Sequence, residues 1–257
     1  MSMLALDLSG RTALVTGASG DLGRVISRTL ASCGAKVAVH YRSRPEEASK
    51  VVAAIRADGG TAEAFPADLT DEGSVRAMAA AIGTKLGEPE IIVANAVIQY
   101  TWTSVLEQSI ADFDGQYRSC VVQAVLLAKA FAPAMQKRKK GRIIGISTEC
   151  ATQCNPNQGA YAAGKRGMDG VFRVLCKELG PDGITVNQVA PGWMVSDRYR
   201  GEAGGASQPA YEAEIPLRRR GDDNDIAQAV AFLASDLADF ISGAWLPVCG
   251  GHVMTGI

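Results

Sequence analysis

Seven short apolar runs recur along the chain, at 11–16, 36–41, 61–66, 90–95, 141–147, 184–190 and 244–249. Ile91-Ile92-Val93-Ala94 and Ile143-Ile144-Gly145-Ile146 carry no polar residue, as expected of strands covered on both faces. Between the runs, apolar residues fall three and four apart at 22–33, 45–58, 71–86, 109–138, 157–180 and 222–235, the spacing of helices with one inward face. This alternation predicts a parallel sheet with helices on both sides. No linker or repeat interrupts it, so 257 residues are expected to form one domain over 1–257. One stretch breaks the pattern. Residues 197–215, rich in Gly, Ala and Glu, read either as a mobile lid or as a plain surface loop.

The turn after the first strand reads TGASGDLG, Thr16 to Gly23. Glycines let a backbone approach a pyrophosphate closely, and the following helix offers free N–H groups and partial positive charge. The spacing departs from G-x-G-x-x-G, so a glycine turn in an ordinary α/β domain is the alternative. A dinucleotide fold selecting NAD usually has an acid about 20 residues later. Here that region reads His40, Tyr41, Arg42, Ser43, Arg44, with no acid. Two guanidinium groups and a hydroxyl suit a 2′-phosphate; solvated loop charges are the other reading.

Tyr161 and Lys165, in YAAGK, stand one turn apart on a predicted helix face. A cation there is expected to lower the phenol from its ordinary pKa near ~10. Alone, such a pair is far more often a surface lysine beside a half-buried tyrosine.

Taken together, these segments resemble the short-chain dehydrogenase/reductase family, and the resemblance runs nearly end to end. ADL (Ala67 to Leu69), ANAV (Ala94 to Val97), STEC (Ser147 to Cys150), YAAGK, NQVAPGWMVS (Asn187 to Ser196) and the terminal ISGAWLPVCGG follow the family's order and spacing. The resemblance implies a Rossmann-type, doubly wound, parallel seven-stranded sheet with helices on both faces. It implies NADP(H) held by Gly17, Ser19, Gly20, Asp21, Leu22 and Gly23, by Tyr41, Arg42, Ser43 and Arg44, and by Asp68 and Leu69 at the adenine. Asn95, Ala96, Tyr161, Lys165, Pro191, Gly192, Val195 and Ser196 would complete the cofactor site. Tyr161 would be the acid, Thr148 the hydroxyl partner, with Ser147 as the lesser alternative, and Lys165 would bind the nicotinamide ribose. Cys120 falls where the family has a relay asparagine. Val97 replaces a glycine, and Asp21 and Gly20 look transposed. A ketone or aldehyde substrate would meet Val97, Cys150, Gln153, Cys154, Gln158, Trp193 and Tyr199, with Tyr100, Trp102 and Glu149 nearby. Glu149 follows Thr148, and strand alternation turns it away, toward a salt bridge with a neighbour. A homotetramer, or a homodimer, is implied by pairing of the helices 109–138 and 157–180. The rival functions are a non-catalytic NADP(H)-binding sensor or scaffold, and a dehydratase or epimerase on the same fold.

Composition narrows this further. A net charge of −1 gives no electrostatic case for nucleic acid or an anionic membrane. The basic run Lys137 to Lys140 suits a helix C-terminus. MSMLALDLSGR lacks a signal-peptide pattern, and no uninterrupted apolar run approaches ~20 residues, so a cytoplasmic enzyme is expected. Six cysteines without C-x-x-C and only two histidines argue for free thiols and no metal site.

Overall fold

The structure, a computed structural model, describes residues 6–196 and 206–254. Its strands are β1 (Thr12–Val15), β2 (Lys36–Tyr41), β3 (Thr61–Pro66), β4 (Ile91–Ala94), β5 (Gly141–Ile146), β6 (Ile184–Pro191) and β7 (Trp245–Val248). They form one seven-stranded parallel sheet in the order β3-β2-β1-β4-β5-β6-β7. The order reverses at β1. Connections leave on opposite sides there, and a crevice opens beyond the strand ends between β1 and β4.

Two-residue alternation divides the core. Val15, Val37, Val39, Ile91 and Ile144 face α1 (Asp21–Ser32), α2 (Pro45–Ala57) and α9 (Asp223–Ala234). Leu14, Ala38, Ile92 and Ile143 face α3 (Glu72–Leu86), α5 (Gln123–Arg138) and α7 (Gly159–Leu179). Asp71 caps α3 by accepting the Ser74 N–H at 2.6 Å, and Asp222 opens α9 with a capping box.

The predicted helix at 109–138 is continuous but not uniform. α4 (Ile110–Tyr117) passes through a wide π-turn, Arg118–Val122, before α5. The whole rod, Ile110–Arg138, is long and apolar enough to cross a membrane, yet it places Leu127, Phe131 and Met135 in the core under the sheet. Two short helices were not expected: α6 (Cys150–Gln153), directly after Thr148, and α8 (Pro209–Glu214), in the stretch read as a lid. Of that stretch, 197–205 lies outside the described residues.

Candidate active site

The crevice at the β1/β4 switch holds a cleft of about 640 Å3, and the glycine turn forms its floor. Gly17 has φ +63°, and a Cβ there would lie 3.0 Å from Ala96 Cα. A Cβ at Gly23 would collide with the Gly17 carbonyl, so the turn can close onto α1 only without side chains. Thr16 Oγ1 accepts the Asn95 and Ala96 N–H groups at 2.9 and 3.0 Å, and Asn95 Nδ2 donates to Thr16 O at 2.8 Å. Asn95 thereby ties β4 to the turn. Asp21 opens α1, where the helix dipole favours an acid, and lies 3.5 Å from Arg24.

His40 is a contributor that the sequence reading passed over. Its Nδ1 accepts the Gly17 N–H at 2.9 Å, so Nε2 carries the proton and donates to Ala67 O at 3.1 Å. One buried imidazole thus links the ends of β2 and β3 to the glycine turn. Burial lowers its pKa to about 4, keeping it neutral.

Arg42, Ser43 and Arg44 border the cleft beyond His40. Neither guanidinium has a hydrogen-bonded or ion-paired partner among the described residues. Tyr41 departs from expectation: it packs against the core, off the cleft wall, because it ends a strand whose alternation turns it there. Asp68 and Leu69 line the cleft. Asp68 Oδ1 accepts from the Thr70 N–H and hydroxyl, which hold its carboxyl below the usual range.

At the opposite end Thr148, Tyr161 and Lys165 converge on the same cleft. Ser147 is engaged elsewhere, since its Oγ accepts the Trp245 indole N–H at 3.1 Å. Thr148 is the hydroxyl beside Tyr161, and its Oγ1 accepts the Cys150 N–H at 3.2 Å. The Tyr161 N–H donates to Tyr100 Oη at 2.7 Å, and the Trp102 ring lies 5.7 Å from the Tyr161 ring. Lys165 Nζ is fully buried, donates to Ile146 O at 2.6 Å and stands 5.8 Å from the Tyr161 ring. The expected lowering of the phenol is not realised. Burial and the neighbouring Cys150 and Cys120 thiols push Tyr161 upward, and only the Thr148 hydroxyl pulls it down. Burial likewise lowers the Lys165 pKa.

Cys120 sits in the π-turn, fully buried and off the cleft wall; its thiol makes only a long contact, 3.9 Å, to Gln116 Oε1. Ser119 and Gln123, its neighbours on the rod, do reach the cleft. Gln123 Oε1 and Ser196 Oγ are both buried without a partner. Gln123 lines the cleft, where an orphaned polar atom fits a site built for a polar ligand, whereas Ser196 does not line it.

The remaining predicted contacts divide. Val97, Pro191 and Gly192 line the cleft. Val195 is held through its N–H to Gly221 O at 2.9 Å, off the cleft wall. Cys150 is largely buried, which raises its thiol pKa. Cys154 and Gln158 build the α6–α7 turn: Cys154 takes φ +51°, and Gln158 Oε1 accepts the Asn155 N–H. Gln153 contacts the His252 ring at 3.1 Å. Trp193 is half exposed and packs edge-on to Tyr211, with Arg220 over its ring at 4.5 Å. Tyr199 lies outside the described residues. Glu149 turns away from Thr148 as expected, but through helical rather than strand geometry, since it stands with αR backbone at the start of α6.

A family described as enoyl-(acyl carrier protein) reductase matches residues 17–253. The chain belongs to the short-chain dehydrogenase/reductase family. It is 36% identical over 254 residues to the 3-oxoacyl-(acyl-carrier-protein) reductase FabG of Staphylococcus aureus, covering 95% of this chain and 98% of that one. A 7α-hydroxysteroid dehydrogenase complexed with NADH and 7-oxo glycochenodeoxycholic acid superposes with a TM-score of 0.87 at 33% identity, covering 97% of each chain. A gluconate 5-dehydrogenase from Burkholderia cenocepacia, in complex with NADP and tartrate, gives 0.87 at 28% identity, covering 96% of each. This short-chain dehydrogenase/reductase is an oxidoreductase acting on CH–OH and C=O groups with a nicotinamide cofactor.

Proposed function

We propose that the protein is an NADPH-dependent reductase of a ketone or aldehyde, working reversibly with the alcohol. The observation that carries this reading is one cleft with Thr148, Tyr161 and Lys165 at one end and acid-free Arg42-Ser43-Arg44 at the other. When bound, NADPH supplies the hydride. The glycine turn and the N-terminus of α1 hold the pyrophosphate, Arg42, Ser43 and Arg44 the 2′-phosphate, and Ser196 the carboxamide. The NADP named in the gluconate 5-dehydrogenase complex agrees with this choice, whereas the NADH of the steroid enzyme marks the alternative.

Tyr161 carries its proton at neutral pH, held there by burial. Tyr161 gives that proton to the carbonyl oxygen, and Thr148 Oγ1 donates to the same oxygen and stabilises its developing charge. Lys165, anchored on Ile146 O, grips the ribose hydroxyls. Tyr100 and Trp102, beside Tyr161, favour a ring or chain with some apolar surface.

The described part of 197–215, which contains α8, acts as the lid of a single domain. The protein works in the cytoplasm as a homotetramer. Ile110, Tyr117 and Val174 are exposed on α4 and α7, and Phe240 is fully exposed near the β7 edge, as subunit contacts would require. A sedimentation mass near one chain would contradict the assembly. The cofactor test compares NADPH and NADH binding before and after Arg42→Ala. Loss of one charged contact should weaken NADPH on the order of tenfold and leave NADH nearly unchanged. Equal or tighter NADH binding by the unmodified protein would overturn the assignment.

A further inference from the structure

One buried carboxylate gathers four segments distant in sequence. Glu149 is almost wholly buried at the N-cap of α6. Its N–H donates to Pro191 O at 2.9 Å. Its Oε1 accepts the Tyr211 hydroxyl of α8 at 2.6 Å, and its Oε2 lies 3.1 Å from His252 Nδ1 in the C-terminal segment. The Tyr211 hydroxyl also accepts the Trp193 N–H at 2.8 Å, so one oxygen bridges α8, Glu149 and the segment after β6. The far ring nitrogen of His252, Nε2, lies 3.3 Å from Glu214 Oε2, again on α8, and the Tyr211 and His252 rings meet edge to face at 5.0 Å.

The cluster abuts the cleft. A Cβ on Gly192, which lines it, would come within 3.0 Å of both Glu149 Oε2 and Tyr211 Oη and 3.1 Å of Cys249 Cβ. No residue within α8 is fully buried; its one apolar anchor among the described residues is Ile215 at the C-cap, so the helix body is held by polar contacts. A buried carboxylate stripped of its partners is costly, so losing one segment weakens the reason for the others to stay.

Resting on the reductase reading, we propose that Glu149 is a positioning residue that docks α8 and the segment around His252 jointly against the Gly192 wall. The substrate end of the cleft is complete only when Tyr211 and His252 are both on its carboxylate. Glu149 touches neither the reacting carbonyl nor the cofactor in this role; it acts through Tyr211 and His252.

The test uses the full chain. Tyr211→Phe keeps the ring and removes only the hydroxyl; Glu149→Gln removes the charge; His252→Asn removes the ring. Backbone hydrogen exchange is followed at 209–214 and at 250–254 in the cofactor-free protein. Each substitution should speed exchange in both segments together. For a carbonyl substrate reduced by the unmodified protein, Tyr211→Phe should raise KM on the order of tenfold or more, with a smaller effect on kcat. The Tyr211→Phe and Glu149→Gln effects should be less than additive, since they remove one bond. Faster exchange confined to the substituted segment, or a fall in kcat at constant KM, would overturn the proposal. Failure to reduce any carbonyl would overturn the reductase reading instead, while coupled exchange would still support the joint docking.

Discussion

Acidification should attack the glycine turn through His40. Its ring is sealed in, and Nδ1 already accepts the Gly17 N–H. A proton added there sets a donor against a donor. Burial lowers the folded-state pKa to about 4 from an ordinary value of 6.5. The unfolded chain therefore takes up this proton first as pH falls. His40's contribution to stability is fully present above the unfolded value, is lost as pH falls toward 4, and changes no further below it. A span of about 2.5 pH units at 1.36 kcal/mol each makes the loss about 3 kcal/mol. Urea unfolding measured between about pH 7 and pH 4, on the unmodified protein and on His40→Asn, isolates this loss because other groups titrate alike in both. Asparagine offers an uncharged acceptor for Gly17. The unmodified protein should lose about 3 kcal/mol more than the variant across the window. Parallel curves would refute the reasoning.

Thr148→Val keeps the shape but removes the hydroxyl, and should lower kcat by about 10²-fold while Thr148→Ser retains activity; steady-state kinetics decides. Cys120→Asn puts a larger amide into the buried site beside Gln116 and should cost about 1–3 kcal/mol in a thermal melt, with turnover gained only where proton delivery limits the rate. Gly23→Ala would drive a methyl into the Gly17 carbonyl and should weaken NADPH binding measured by fluorescence, whereas Gly170→Ala, with open space, should not.

What could be read from the sequence follows from periodicity. Ile91–Ala94 and residues 143–146 are uniformly apolar because helices cover both faces, and such runs announce themselves. The π-turn at Arg118–Val122 gives no such notice, because apolar spacing hardly distinguishes a widened turn from an ordinary one. The same holds for the pKa of Tyr161: four-residue spacing brings Lys165 near, but only the packed site reveals that burial outweighs its charge. His40 was legible in principle. It shares a strand face with Ala38, the inward phase of β2, where a histidine needs two polar partners. The Glu149 cluster joins residues up to 103 positions apart through two loops, and no local pattern encodes that meeting.

The central claim is that Tyr161 is the acid of a carbonyl reductase. NADPH oxidation should be followed against a panel of ketones and aldehydes for the unmodified protein and for Tyr161→Phe, with NADPH binding measured on both. The account predicts turnover of at least one carbonyl by the unmodified protein, its collapse in Tyr161→Phe, and retained NADPH binding. Full activity in Tyr161→Phe would contradict it.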